Sequence, residues 1–261
     1  MYDLHSHILP GVDDGSKTFN ESIAMANVAF DCGTRLILAT PHRKDVAENS
    51  SVRKIRQLAT DMNSDLSKNE IDLQILIGME NHLDLELPED FSTDKALPMN
   101  GSRYALVELP FFGYPNYVED VLFKLQIQGI IPILAHPERI EAVQINPELL
   151  SGFVERGMLS QITAGSILGH FGKKVQRLTH SLLRRGLVHV IASDAHFPDG
   201  PRSPNLFLGF EAAIEIVGEE KATEMVVDIP RAVLDDQVVV LEPPQGDSGN
   251  RRWWHLGRWG G

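Results

Sequence analysis

Residues 1–15 read MYDLHSHILPGVDDG. The pattern predicts a short strand over residues 2–4 that ends in His5 and His7. Residues i and i+2 of a strand project to the same side, so both imidazoles face one point and Ser6 turns away. Asp13 and Asp14 follow, framed by Gly11 and Gly15. Neutral imidazole is the commonest metal ligand near neutral pH. A strand that ends in HxH and then meets two carboxylates therefore predicts a metal site at its C-terminal end. A pair of hydrogen-bonded surface histidines is the alternative, and the rest of the chain decides between them.

The same pattern recurs. Further apolar strands are expected over 36–39, 73–77, 104–107, 131–135, 159–162 and 188–192. Helical periodicity follows over 20–30, 52–66, 118–128, 147–155, 173–184, 206–217 and 219–226. Gly33 suits a helix C-cap, and Pro147 suits a first helical turn. Strands alternating with helices imply a parallel sheet covered by helices. Seven such units without a break in composition predict one α/β domain over 1–242, a seven-stranded (β/α)7 barrel. Residues 243–261 read as a linker and a flexible tail rich in Trp and Arg. That tail could touch a membrane surface or a partner, although a terminus without such a role suits the pattern better.

In a parallel barrel all strands deliver their C-terminal loops to one face. The first strand delivers His5, His7 and the Asp13/Asp14 pair. ATPH delivers His42, GMEN delivers Glu80 and VELP delivers Glu108. AHPER delivers His136 and Arg139, and SDAH delivers Asp194 and His196. Six of the seven strands thus bring a His or a carboxylate to the same end. Imidazole and carboxylate without thiolate suit Mn, Fe or Zn better than Mg or Ca. The set exceeds what one ion needs, so two or three ions sharing a bridging carboxylate are expected.

Composition bounds the rest. Hydrophobic residues make up 43% and charged residues 23% of 261 residues, enough for an ordinary core. No run approaches the ~20 apolar residues of a membrane span, and no signal-peptide pattern is read at the start. A net charge of -12 disfavours nucleic acid. The one cysteine, Cys32, excludes an intrachain disulfide and fits the cytoplasm. It lies near a helix end without a phosphate-cradling loop, so it is expected in the core and outside the chemistry.

Taken in order, HxH, ATPH, GME, VEL, AHPER and SDAH resemble the PHP (polymerase and histidinol phosphatase) superfamily. HSHILPGVDDG, LATPH, PILAHPER, ITAGSILGHFG and ASDAH resemble, within it, the manganese-dependent tyrosine-protein phosphatases of bacterial capsule and exopolysaccharide clusters. The resemblance implies a distorted seven-stranded barrel of PHP type with three ions, manganese first and Fe, Zn or Mg as substitutes. His5, His7, Glu80 and Asp194 would hold the first ion. Glu80, Glu108 and His136 would hold the second, with Glu80 bridging. Asp14, His42 and His196 would hold the third, with Asp13 competing for the place of Asp14. Two departures stand out. Arg43 replaces a second His that often follows ATPH, and Arg202, behind FPDGP, is displaced by about one residue from the usual spacing.

The implied reaction is hydrolysis of phosphotyrosine by a metal-bridging hydroxide, on a protein such as the tail of a capsule-assembly tyrosine kinase. Three dications against Glu80, Glu108, Asp194 and Asp14 leave a net positive pocket, which suits a phosphate dianion. Arg139 offers a planar fork for phosphoryl oxygens, with Arg202 as a second catalytic cation. Arg43, Phe111 and Tyr114 are expected to meet the substrate. The aromatic run PFFGYPNY equally suits a loop covering its own apolar underside, and GSILGHFGKK reads as a helix start. The alternatives are a PHP phosphoesterase acting on a small-molecule phosphate and a metal-binding regulatory protein without turnover.

Overall fold

Eight strands, all parallel, form two sheets in the computed structural model, which describes residues 1–240. The chain runs β1 (Tyr2–Ser6), α1 (Phe19–Asp31), β2 (Leu36–Ala39), α2 (Arg43–Asn49), α3 (Val52–Lys68), β3 (Gln74–Ile77), β4 (Asn81–His82) and α4 (Leu87–Ser92). Then follow β5 (Tyr104–Glu108), α5 (Val118–Ile127), β6 (Ile131–Ala135), α6 (Glu141–Ile145), α7 (Glu148–Glu155), β7 (Leu159–Thr163) and α8 (Ala164–Leu168). The described part closes with α9 (Lys173–Arg184), β8 (Val190–Ala192), α10 (Leu206–Val217), α11 (Glu219–Thr223) and α12 (Ile229–Leu234). The expected linker and tail, 243–261, lie outside the described residues.

The sheets are ordered β1-β2-β3 and β4-β5-β6-β7-β8, where the sequence predicted seven strands in one barrel. The third expected strand is broken. After β3 the chain leaves the β2 ladder and bonds to the turn behind β2. Arg43 N–H donates to Glu80 O (3.0 Å) and Glu80 N–H to Pro41 O (3.2 Å). Only then does β4 pair with β5. At the opposite seam, Asp194 N–H donates to His5 O (2.9 Å) and His7 N–H to Ala195 O (2.8 Å). Ser193 N–H reaches Asp3 Oδ1 (3.0 Å). Hydrogen bonds cross both seams, but neither carries a regular ladder.

Alternation assigns the faces. In β5, Tyr104 and Leu106 join one buried cluster with Leu38, Ile133, Leu159 and Val190. Their neighbours Ala105 and Val107 join a second cluster, under α5, α7 and α9. Ile37 and Ala39 of β2 meet α1 and α3 in a third. The first cluster is therefore shared between strands of both sheets, while helices cover the opposite faces.

The longer helices follow the sequence closely. Thr18 Oγ1 caps α1 at Glu21 N–H (3.2 Å), and Gly33 ends it at a φ of 87°. The helix expected over 219–226 differs. It widens over Glu224–Asp228 and continues as α12, because Pro230 has no N–H for the regular ladder. The short helices α2, α4, α6 and α8 carry too few turns to register as a period.

Gly209 of α10 lies directly on α8, where a β-carbon would stand 2.5 Å from Ala164 Cβ and 2.9 Å from its Cα. Overpacking of this kind costs about 1–3 kcal/mol. Gly209→Val should lower stability by that amount in chemical denaturation without changing the unfolding slope.

Candidate metal centre

Because every strand is parallel, the residues that end them share one face. β1 carries a register shift between Asp3 and Ser6, one extra residue against β2. Leu4 can thus join the inner cluster while His5 and His7 both reach the centre. Two further residues sit in left-handed backbone, His136 at φ 32° and Asp194 at φ 52°. Each such position costs a non-glycine residue roughly 1–2 kcal/mol. His136 directly follows β6 and Asp194 lies two residues beyond β8, and each turns a functional side chain inward. Gly15 is needed for another reason. A β-carbon there would lie 2.1 Å from His7 O, so only glycine lets the Asp13–Asp14 loop lie on β1.

His5 Nδ1 lies 2.8 Å from Gln161 Oε1. Gln161 Nε2 donates to Ile162 O (2.9 Å), which fixes the amide so that its oxygen accepts from His5. His7 Nδ1 lies 2.7 Å from Asp13 Oδ2. With Nδ1–H donating in each ring, Nε2 carries a lone pair in both neutral imidazoles. These two Nε2 atoms stand 3.2 Å apart. Glu80 Oε2 lies 3.4 Å from each and Asp194 Oδ1 3.6 Å from each. Two lone pairs and two carboxylate oxygens thus converge, a cluster that calls for positive charge among them, as protons on the rings or as a cation. The donor chemistry fits a divalent ion.

Two more groups share these atoms. Glu80 Oε1 lies 2.8 Å from His136 Nε2, which is 3.6 Å from Glu108 Oε1. Glu80 Oε2 lies 3.0 Å from His42 Nδ1. Asp14 Oδ1 lies 3.4 Å from His42 Nε2 and 3.1 Å from His196 Nε2. His7, Asp14, His42 and His196 can bring four donor atoms within 4.8 Å of one another. Asp13 is occupied otherwise. It accepts from His7, from Gly15 N–H (3.0 Å) and from His42 N–H (3.1 Å). The geometry favours Asp14 at the centre and Asp13 behind it.

The electrostatics point the same way. Burial alone would lower the His7 pKa, but Asp13 and Glu80 outweigh it and push it up to about 9. His42 is also desolvated, yet Asp14 and Glu80 push it up to about 11. Glu80, also buried, is held well below its usual range, chiefly by His5 and His136. Without ions the carboxylates recruit protons onto histidine; dications satisfy the same demand.

Arg139 NH1 donates to Asp194 Oδ2 (2.6 Å) and Arg202 NH2 to Asp194 Oδ1 (3.0 Å). The Arg139 guanidinium lies 4.5 Å from the Phe171 ring centre and 5.3 Å from that of Phe111. Phe111 itself stacks on His136. Three expectations change. Arg43, expected at the substrate, is buried, and its guanidinium is consumed by Asp84, Asp90 and the His82 carbonyl. Tyr114, expected beside it, donates its hydroxyl to Glu119 (2.6 Å). Cys32 is partly exposed at the far end of α1 rather than in the core, and burial and Asp31 raise its thiol pKa.

Sequence reasoning missed four residues. Gln161 lies in the middle of β7, the one strand that supplies no ligand, and its signal was a polar side chain in phase with Leu159. Glu138 is buried, its Oε1 accepting from Thr163 N–H (3.0 Å) and the Ser166 hydroxyl (2.6 Å). It pins the AHPER turn to β7 and α8. His82 reaches Glu108 Oε2 (3.3 Å). Phe171, in the turn between α8 and α9, carried no signal.

The chain is similar to known proteins in both sequence and fold. The family model described as capsular polysaccharide synthesis, CpsB/CapC, matches residues 1–235. The tyrosine-protein phosphatase YwqE of Bacillus subtilis (strain 168) is 36% identical over 248 residues, 94% of this chain and 96% of that protein. The tyrosine-protein phosphatase CpsB of Streptococcus pneumoniae is 31% identical over 244 residues, 92% of this chain and 100% of that protein. A crystal structure from work on YwqE and CpsB as unique metal-dependent tyrosine phosphatases matches with a TM-score of 0.85 at 36% identity, covering 94% of this chain and 98% of that one.

Gln161 sets the tautomer of His5, and residues of that kind are typically worth 10–100-fold in metal affinity. Gln161→Leu should weaken metal binding by about that factor in a competition titration. An unchanged affinity would mean that His5 needs no such support.

Proposed function

The chain belongs to the CpsB/CapC family of capsular polysaccharide synthesis, and from that premise we propose that it is a metal-dependent protein-tyrosine phosphatase, a phosphoric monoester hydrolase. The observation that carries this reading is the convergence of His5, His7, Glu80 and Asp194 acceptor atoms beside two guanidinium groups. In this reading His5, His7, Glu80 and Asp194 hold one ion. Glu80, Glu108 and His136 hold a second, and Asp14, His42 and His196 a third. Manganese suits so mixed an imidazole and carboxylate set. The two sheets are halves of one distorted seven-stranded barrel, with β3 and β4 as a single broken strand and residues 1–242 as one domain. The substrate is a phosphotyrosine protein of the cytoplasm, a tyrosine kinase of polysaccharide assembly.

When bound, the ions neutralise phosphoryl charge and lower the pKa of water enough for it to attack phosphorus without a protein nucleophile. The chain supplies orientation. Arg139 and Arg202 meet opposite oxygens of Asp194, so both guanidiniums already point at the centre. The Phe111 and Phe171 rings restrict the plane of Arg139, leaving its edge N–H groups for phosphoryl oxygens. Phe112, 82% exposed beside Phe111, and Phe197, 47% exposed beside His196, offer free aromatic surface to a substrate phenyl ring. The Cys32 thiol, at the far end of α1, takes no part.

Chelation should abolish hydrolysis of a phosphotyrosine peptide, and Mn should restore it best. Phosphoserine and sugar phosphates should be much poorer substrates. Full activity in rigorously metal-free protein would end the metal reading, and a preference for sugar phosphates would replace the substrate.

Removing a charge-assisted donor to a transferring group typically costs about 2–4 kcal/mol, or roughly 30- to 1,000-fold in rate. Arg139→Ala should lose turnover in that range while keeping its metal, whereas His136→Ala should lose both. Arg139→Lys should recover only part. If Arg139→Ala keeps more than about half the parental rate, the essential cation is Arg202.

A further inference from the structure

The first turns of α3 carry Arg53, Lys54 and Arg56, all exposed, in a chain of net charge -12. Among the described residues, none of the three has a carboxylate within 4.0 Å. Their neighbours differ. Arg43 is bound by Asp84 and Asp90, and Lys44 lies 3.3 Å from Asp84. Helix stability does not account for the free cations, since positive charge in a first turn opposes the helix dipole and α3 has no acid there.

Arg53, Arg56, Gln57 and Thr60 fall at i, i+3, i+4 and i+7, on one face. With Val52 they line an open depression of about 390 Å³. The buried side of α3 ties this face to the metal centre. Ile55 and Leu58 pack in the same cluster as Ile8, Leu9 and Val12 of the loop that carries Asp13 and Asp14, and as Val46 of α2. α2 begins directly after His42 and spans only about 10 Å. The cationic face therefore flanks the mouth on the His42 side.

We propose that this face of α3 is a docking surface for an acidic segment of the phosphoprotein substrate, bound while its phosphotyrosine occupies the metal centre. The proposal rests on the phosphatase reading and names the kind of substrate. Two guanidinium forks suit carboxylates or a second phosphoryl group. α2, at about 1.5 Å per residue, and the extended Ser50 and Ser51, at about 3.3 Å each, put the start of α3 at most roughly 20 Å from His42, a span that an extended peptide covers within about four to seven residues of the phosphotyrosine.

The test uses the Mn-loaded full chain and its Arg53→Glu/Arg56→Glu variant. The substrates are p-nitrophenyl phosphate and two phosphotyrosine peptides, one with Asp and Glu four to seven residues from the phosphotyrosine and one with Ser and Asn there. Exposed pairs contribute up to about 1 kcal/mol each, so the parent should show a KM roughly three- to tenfold lower for the acidic peptide. The variant should lose that preference, with kcat and the p-nitrophenyl phosphate kinetics unchanged. Added salt should erase the preference in the parent. A parent that treats both peptides alike, or a variant that keeps the preference, overturns the proposal. If the parent hydrolyses no phosphotyrosine at all, the phosphatase reading fails. Fluorescence anisotropy of the labelled acidic peptide then decides the docking surface: weaker binding to the variant supports it, and equal binding overturns it.

Discussion

Two imidazole nitrogens that are both bare when the rings are neutral stand 3.2 Å apart, His5 Nε2 and His7 Nε2, with carboxylates of Glu80 and Asp194 close to both. Lone pairs and anionic oxygens at that spacing repel each other unless positive charge lies among them. This constraint arises from the partners behind the rings. Gln161 and Asp13 fix the Nδ1 protons, so the histidines cannot relieve the crowding by exchanging tautomers. A buried cluster of this charge is unfavourable as a packing element and makes sense as a cation site.

The backbone bends to serve it. β1 accepts an extra residue so that an apolar and a ligating side chain both face inward. β3 breaks before Glu80, which lets that carboxylate lie between His42 and His136. His136 and Asp194 adopt left-handed backbone that glycine would accept more easily. Gly15 stands where any β-carbon would collide with His7. Strained positions of this kind persist where surrounding structure holds them in place; Asp194 is held by its N–H bond to His5 O, and His136 by the Arg139 N–H on its carbonyl and by Glu80 on its ring.

Much of this was legible in the sequence because two periods govern it. Strand positions such as Leu106 and Glu108, or Val190 and Asp194, fall in phase, so a polar residue ending an apolar run marks the inner face. The helices α9 and α10 were legible from their apolar spacing. What escaped depended on contacts distant in the chain. Nothing local shows that Arg43 would be claimed by Asp84 and Asp90, forty or more residues on. Nothing local separates Asp13 from Asp14; their contacts with His42 and His196, distant in the chain, do so. The break after β3 was hidden because the strand pattern continues into the residues that leave the ladder.

The most direct measurement is an anomalous difference map at the manganese absorption edge from crystals of the Mn-loaded protein. A peak bounded by His5 Nε2, His7 Nε2 and the Glu80 and Asp194 carboxylates is expected, with further peaks at the His136 and His42–His196 groups. A map without density between His5 and His7, in crystals that bind manganese elsewhere, would contradict it.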